Sequence, residues 1–289
     1  MAKRKHRVPV PARDSGRAPP HPAHTPSGAP GPSSAGSGPA HWIYGQHAVL
    51  AAIGNPARRI RRLIATTEAA NALPKGGLAG RPAVETLAPE ILDRGAFDRV
   101  LPAGSVHQGI AVLVEPLEEP DLDEVLDRLA EAPSATILLL DQVTDPQNVG
   151  AVLRSAAAFG AAALVLPRHH APPVTGALAK AASGALEHVP IVRVGNLAQA
   201  IDRLKESRFW CVGLAGDAAQ DLATIDLAGR VALALGAEGS GLRRLTRERC
   251  DFQARLPTSG PIAQLNVSNA AAAALYECAR QRTAKATAK

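Results

Sequence analysis

Apolar positions follow two rhythms along this chain, and the rhythm changes with position. Near the front, Ala48, Val49, Ala52 and Ile53 recur at the spacing of one helix face, which predicts a helix over residues 45–54. A short strand is predicted at Arg62–Ala65 and a second helix near 88–95. Gly109–Val114 reads as a buried strand, because Gly-Ile-Ala-Val-Leu-Val runs without a polar break. Residues 41–115 are thus a small α/β unit. From Glu115 to Pro133 the chain is acidic and punctuated by proline, with a single helical set at Leu122, Val125, Leu126 and Leu129. Residues 116–134 are read as an interdomain linker.

The second rhythm occupies residues 135–289, where short apolar runs alternate with amphipathic segments. Strands are predicted at Ile137–Leu140, Ala163–Leu166, Ile191–Val194, Trp210–Leu214, Val231–Leu235 and Phe252–Leu256. Helices are predicted over 149–159, 174–187, around Leu197–Leu204, and over 267–282. This alternation predicts an α/β domain with a mostly parallel sheet covered on both faces. In such sheets ligands sit in the loops beyond the carboxyl ends of the strands.

Composition fits this picture: 289 residues suit about two domains, and 46% hydrophobic with 20% charged residues supplies a core. No apolar run approaches the ~18–20 residues of a membrane-spanning helix, so no membrane association is expected. The three cysteines, Cys211, Cys250 and Cys278, are odd in number and far apart, which excludes a disulfide framework and any zinc-ligand spacing. They are read as small buried hydrophobes in a reducing cytoplasm.

Charge changes the picture less than its total suggests. The net charge is +6, but residues 1–40 alone hold six basic residues against one acidic, leaving 26 against 25 in the remainder. Those forty residues also carry nine prolines, five glycines and five serines, and are read as a disordered basic tail. A secretory signal is excluded by the missing apolar stretch, and the prolines argue against an amphipathic transit peptide. Within the front unit, Arg58-Arg59-Ile60-Arg61-Arg62 fits either a grip on a phosphate backbone or a solvated edge, and the sequence favours neither.

Three loops that follow predicted strands hold the candidate chemistry. The first, Asp141 to Gly150, is dense in polar residues and leads into a helix carrying Arg154, with Asn148 placed where an N-cap would stand. The second, Leu235-Gly236-Ala237-Glu238-Gly239-Ser240-Gly241, has glycines that either let backbone amides approach a ligand or simply make a tight turn, the reading this pattern favours on its own. Its GxxGxG spacing is not the dinucleotide fingerprint, which removes the oxidoreductase reading, and no phosphate-loop lysine is present. The third, Leu256 to Asn269, gathers two asparagines and Ser268 at the start of the last helix, more than capping requires. The pair His169-His170 has no Asp, Glu or Cys partner nearby, so no metal is expected and the pair is read as part of a loop bordering the site.

Taken together, DPQNVGAVLRSAAAFG, ALGAEGSGL and LPTSG…LNVSNAAA resemble the three signature motifs of the SpoU (TrmH) family of RNA ribose 2′-O-methyltransferases, in the SPOUT superfamily. The resemblance covers roughly residues 41–282. It implies a trefoil-knotted α/β domain over 135–289 and, over 41–115, a substrate-binding domain similar to ribosomal protein L30e. It also implies S-adenosylmethionine as cofactor, held at Gly236, Leu256 and Leu265, and catalytic roles for Asn148, Arg154, Glu238, Ser268 and Asn269. The branch most similar carries a separate front domain and methylates a guanosine ribose in large-subunit (23S) ribosomal RNA. Family members are homodimers. A tRNA substrate and a noncatalytic role in ribosome assembly are the alternatives. Gln264 departs from the serine that relatives usually carry just before the LNVS run. The excess of Arg over Lys, 25 to 7, suggests a GC-rich bacterial genome and hence a bacterial cytoplasm.

Overall fold

The computed structural model describes residues 39–73, 88–262 and 264–287, so nearly all of the tail read over 1–40 lies outside the described residues. The described residues pack as one unit around two sheets.

The smaller sheet is built at the front of the chain. β1 (His41–Tyr44) precedes α1 (Gln46–Gly54), and β2 (Ile60–Ala65) precedes the short α2 (Thr67–Asn71). β3 (Glu90–Ile91), α3 (Arg94–Val100) and β4 (Ile110–Val114) complete it, in the strand order β1-β4-β2-β3. The helix expected near 88–95 starts later, because Asp93 caps it by accepting from Ala96 N at 2.7 Å, and Glu90–Ile91 pairs with β2 instead. β1 and α2 are elements that the apolar spacing does not announce.

Next comes α4 (Leu122–Arg128), in the segment read as a linker. Its Leu122, Val125 and Leu126 are buried in the core of the larger sheet. That sheet uses β5 (Ala135–Asp141), α5 (Pro146–Ala158), β6 (Ala163–Pro167), α6 (Gly176–Ala182), β7 (Ile191–Val194) and α7 (Leu197–Glu206). It continues through β8 (Trp210–Leu214), β9 (Gln220–Asp221), β10 (Arg230–Gly236), α8 (Arg244–Arg249), β11 (Phe252–Arg255) and α9 (Val267–Thr287). The order is β7-β6-β5-β10-β8-β11-β9, and every pairing is parallel. Alternation along β5 sends Leu138 and Leu140 to the core under α5, α6 and α9, and Ile137 and Leu139 to the core under α4 and α7. The helix expected over 174–187 breaks at Ser183, which adopts a left-handed φ of 51°, and resumes as a 3-10 turn at Ala185–Glu187.

The two sheets are locked together. Arg58 donates through Nη2 and Nε to Glu187 at 2.6 and 3.1 Å, and Asn55 Nδ2 donates to the same carboxylate at 2.7 Å. A Cβ at Gly176, the first residue of α6, would lie 2.3 Å from a Tyr44 ring carbon, so only glycine allows β1 to lie this close. Of the four clustered arginines, then, Arg58 is a buried joint. Arg61 and Arg62 pair with Glu115 and Glu90, and Arg59 stands 3.9 Å from Glu115.

Candidate active site at the carboxyl ends of the strands

From β5 the chain moves outward to β6 and β7, while β10 lies on the other side of β5. The crevice at this reversal is where an open parallel sheet takes a ligand. All three loops singled out by sequence end there.

The first loop leaves β5 at Asp141 and enters α5. Asn148 is not its N-cap: Asp145 caps by accepting from Gln147 N at 2.9 Å, and Pro146 takes the first helical position, where no N–H is needed. Asn148 therefore sits inside the first turn with its amide free to reach across to the other loops. The second loop leaves β10 at Gly236 and doubles back, with Gly241 N donating to Ala237 O at 2.9 Å. A Cβ on Gly236 would fall 2.0 Å from the Gly241 carbonyl carbon, so this closure tolerates no side chain. The third loop leaves β11 and enters α9.

Asn266 joins the three. Its Nδ2 donates to Asn148 Oδ1 at 3.0 Å and to Glu238 Oε1, while Asn148 Nδ2 also approaches Glu238 Oε1 at 3.4 Å. Asn266 Oδ1 accepts from Ser268 N at 2.8 Å and from Ser268 Oγ at 2.6 Å. Asn148, Glu238 and Ser268 are thus brought together through a residue the sequence reading passed over in favour of Asn269. Asn269 is exposed and its side chain makes no hydrogen bond among the described residues. The available signal was the short Asn-Val-Ser spacing, which suits a side-chain turn at a helix start.

Arg154 is not in this cluster. Six residues beyond Asn148, it is offset by about a third of a turn and about 9 Å along α5. It is exposed and has no ion pair among the described residues.

Beside the cluster opens a cavity of about 490 Å³, within the range of small-molecule sites. Leu214, Leu235, Leu256, Leu265 and Val267 supply apolar wall, Gly236 and Gly239 supply backbone, and Glu238 and Asn266 stand at its polar side. Gln264 lines both this cavity and an adjoining lobe of about 860 Å³ that includes Asp217, Arg247 and Ser240. The β8 exit, Leu214 to Asp217, forms a further wall that the sequence reading did not assign. Its signal was faint, two small residues, Ala215 and Gly216, directly after a buried strand. Arg247 beside Asp217, 3.0 Å away, holds that carboxyl below its ordinary value. Gly236, Leu256 and Leu265, the residues expected to hold S-adenosylmethionine, all line the cavity of about 490 Å³.

The chain is similar to known proteins along most of its described length. The SpoU rRNA Methylase family matches residues 135–276. A Vibrio vulnificus protein named 23S rRNA (guanosine-2'-O-)-methyltransferase RlmB is 47% identical over 184 residues, which cover 63% of this chain and 73% of the relative. A Pseudomonas putida protein of the same name is 40% identical over 258 residues, covering 84% of this chain and 97% of the relative. Among solved structures, the SpoU methyltransferase AviRb from Streptomyces viridochromogenes, in complex with the cofactor AdoMet, superposes with a TM-score of 0.68. It is 26% identical and the match covers 84% of this chain and 91% of AviRb.

Proposed function

The chain belongs to the SpoU rRNA methylase family, and we propose that it acts as its RlmB relatives are named to act, methylating the ribose 2′-oxygen of a guanosine in 23S ribosomal RNA with S-adenosylmethionine as donor. The observation that carries this reading is Asn266 bonded at once to Asn148 and Glu238, because it gathers polar groups from three separate loops beside one nucleoside-sized cavity.

The cofactor, when bound, supplies an electrophilic methyl group. The protein has to align the ribose hydroxyl with it and stabilise the charge that develops on oxygen. Asn266 fixes Glu238 and Asn148 with respect to each other, and Ser268 fixes Asn266. Glu238 Oε2, which has no partner among the described residues, is the acceptor that orients the ribose hydroxyl. Asn148 steadies the rim, and Asn269 faces outward to meet RNA. A guanidinium offers only hydrogen-bond donors and a positive charge, so Arg154 acts as a clamp on the nucleotide phosphate and as an electrostatic stabiliser.

The exposed position of Arg154 supports a homodimer, in which this residue reaches the partner's crevice. The adjacent outer face of α5 and α9 suits such packing, with Ala158, Ala273 and the 58%-exposed Tyr276 on its surface. Residues 135–289 form the SPOUT domain, knotted at its C-terminal strands and loops. Residues 41–115 form an L30e-like domain that binds the RNA, joined through 116–134. The protein works in the bacterial cytoplasm. Among the described residues no helix is long and apolar enough to cross a membrane.

The test is methyl transfer from labelled S-adenosylmethionine to ribosomal RNA lacking ribose methylation and, in parallel, to unmodified tRNA. The modified position is mapped by its resistance to alkaline cleavage. Label in 23S RNA that vanishes with Arg154→Ala is the expected result. Label confined to tRNA would replace the substrate, and RNA binding without label would leave a noncatalytic assembly factor.

A further inference from the structure

Arg243 stands where the second loop meets α8, five residues beyond Glu238. Asp141, the last residue of β5, is only 1% exposed, yet it accepts from Arg243 twice, from the backbone N at 3.0 Å and from Nε at 2.7 Å. A buried carboxylate with one cationic partner fixes that partner firmly, because separating them would strand the charge away from water. Directly after it, Gln142 adopts a left-handed φ of 59°, a conformation uncommon outside glycine, and turns the chain out of the strand.

The contact to Asp141 uses Nε and leaves the terminal fork open. Neither Nη of Arg243 makes a hydrogen bond among the described residues, and the side chain is 46% exposed. Its neighbours differ. Arg244 gives Nη1 to Glu248 at 2.7 Å, and Arg247 gives Nη1 to Asp217 at 3.0 Å. Arg243 is therefore aimed from behind and free in front, at the carboxyl ends of β5 and β10.

We propose that Arg243 is an RNA-positioning residue whose terminal nitrogens grip a phosphate of the strand that carries the target ribose, and that Asp141 is a positioning residue acting through it. The inference rests on the reading of this site as an RNA ribose methyltransferase. A planar two-pronged donor matches phosphate oxygens, and its orientation is settled before RNA arrives. The grip would set the register of the strand and leave the chemical step to the Asn148, Glu238 and Asn266 cluster.

The experiment measures the affinity of the full chain for unmodified 23S RNA across a salt series, for the wild type, Arg243→Gln, Arg243→Lys and Asp141→Asn. Binding of S-adenosylhomocysteine and thermal stability are followed alongside. Arg243→Gln is expected to weaken RNA binding about tenfold and to lower the slope of log affinity against log salt by about one. It should raise KM for RNA while kcat at saturating RNA holds, and should leave S-adenosylhomocysteine binding unchanged. Arg243→Lys should restore the slope, since lysine also neutralises a phosphate, and Asp141→Asn should shift KM in the same direction by a smaller factor. An unchanged slope in Arg243→Gln overturns the proposal. So does a selective loss of S-adenosylhomocysteine affinity, which would assign the guanidinium to the cofactor's carboxylate. A parallel fall in stability and both affinities, making the pair a loop staple only, overturns it too. If the wild type transfers no methyl group to 23S RNA, the functional reading fails, whereas the salt slope still decides the role of Arg243.

Discussion

Arg58 and Glu187 lie 129 positions apart in the chain and meet as a two-pronged ion pair with side chains only 1% and 2% exposed. Both charges have left water, so the attraction only offsets their desolvation while the geometry stays intact. Arg58→Ala leaves Glu187 with Asn55 alone and is expected to cost about 3 kcal/mol, read as a shift in the urea midpoint. Replacing both charges with leucine or methionine should cost much less. Equal losses in the single and double variants would refute the account.

Gly236→Ala tests the closure of the second loop. The added methyl would overlap the Gly241 carbonyl, which is backbone and has nowhere to move without opening the loop. Titration calorimetry should show S-adenosylhomocysteine affinity falling by at least about tenfold, with a sheet otherwise intact by circular dichroism. Wild-type affinity would mean that this backbone does not border the cofactor.

Asn266→Ala removes the donor that Glu238 and Asn148 share. It is expected to lower kcat by about a hundredfold while cofactor affinity changes little, because the apolar walls remain. Asn269→Ala should act far more weakly on kcat. The reverse order in single-turnover assays would restore Asn269 as the central residue.

His41, in β1 close to Arg58, is pushed below its ordinary pKa of 6.5 by burial first and by the Arg58 charge second. The unfolded chain therefore takes up a proton at this residue before the folded one does as pH falls. The resulting stability is present above about pH 6.5 and declines below it, down to the depressed folded value. Denaturant midpoints at pH 7.5 and 5.5 should move closer together in His41→Gln than in the wild type. An unchanged gap would exclude His41 as a source of the acid sensitivity.

Burial pushes the Cys250 thiol up to about 12 and the Cys278 thiol to about 11, and raises Cys211 as well. Thiolate is the reactive form, so iodoacetamide at pH 8 should label the native protein slowly and the urea-unfolded protein at all three positions. Rapid native labelling at any of them would contradict this packing.

Which parts of this protein are legible in its sequence follows from which interactions are local. The alternation of Ile137–Leu140 with the amphipathic run through Leu197 and Leu204 shows a parallel sheet between helices, because side-chain periodicity is set residue by residue. The loops over Asp141–Gly150, Leu235–Gly241 and Leu256–Asn269 are visible because polar and glycine residues follow buried strands there. Resemblance of three motifs at once supplied the chemistry that none of them states alone.

Tertiary structure decided the rest. The Asn-Val-Ser spacing hints at a side-chain turn at Asn266, but that this residue rather than Asn269 meets Glu238, 28 positions away, depends on how the second and third loops come together. Arg58 reads like its neighbours in an arginine-rich run, and only Glu187, far along the chain, makes it a buried joint. Asp141 likewise acquires its meaning from Arg243, 102 residues later, because β10 comes to lie beside β5. Periodicity fixes which face of an element is buried. The partner of a buried charge is chosen by the packing of elements distant in sequence, since a desolvated charge must find its counter-charge wherever the fold places one.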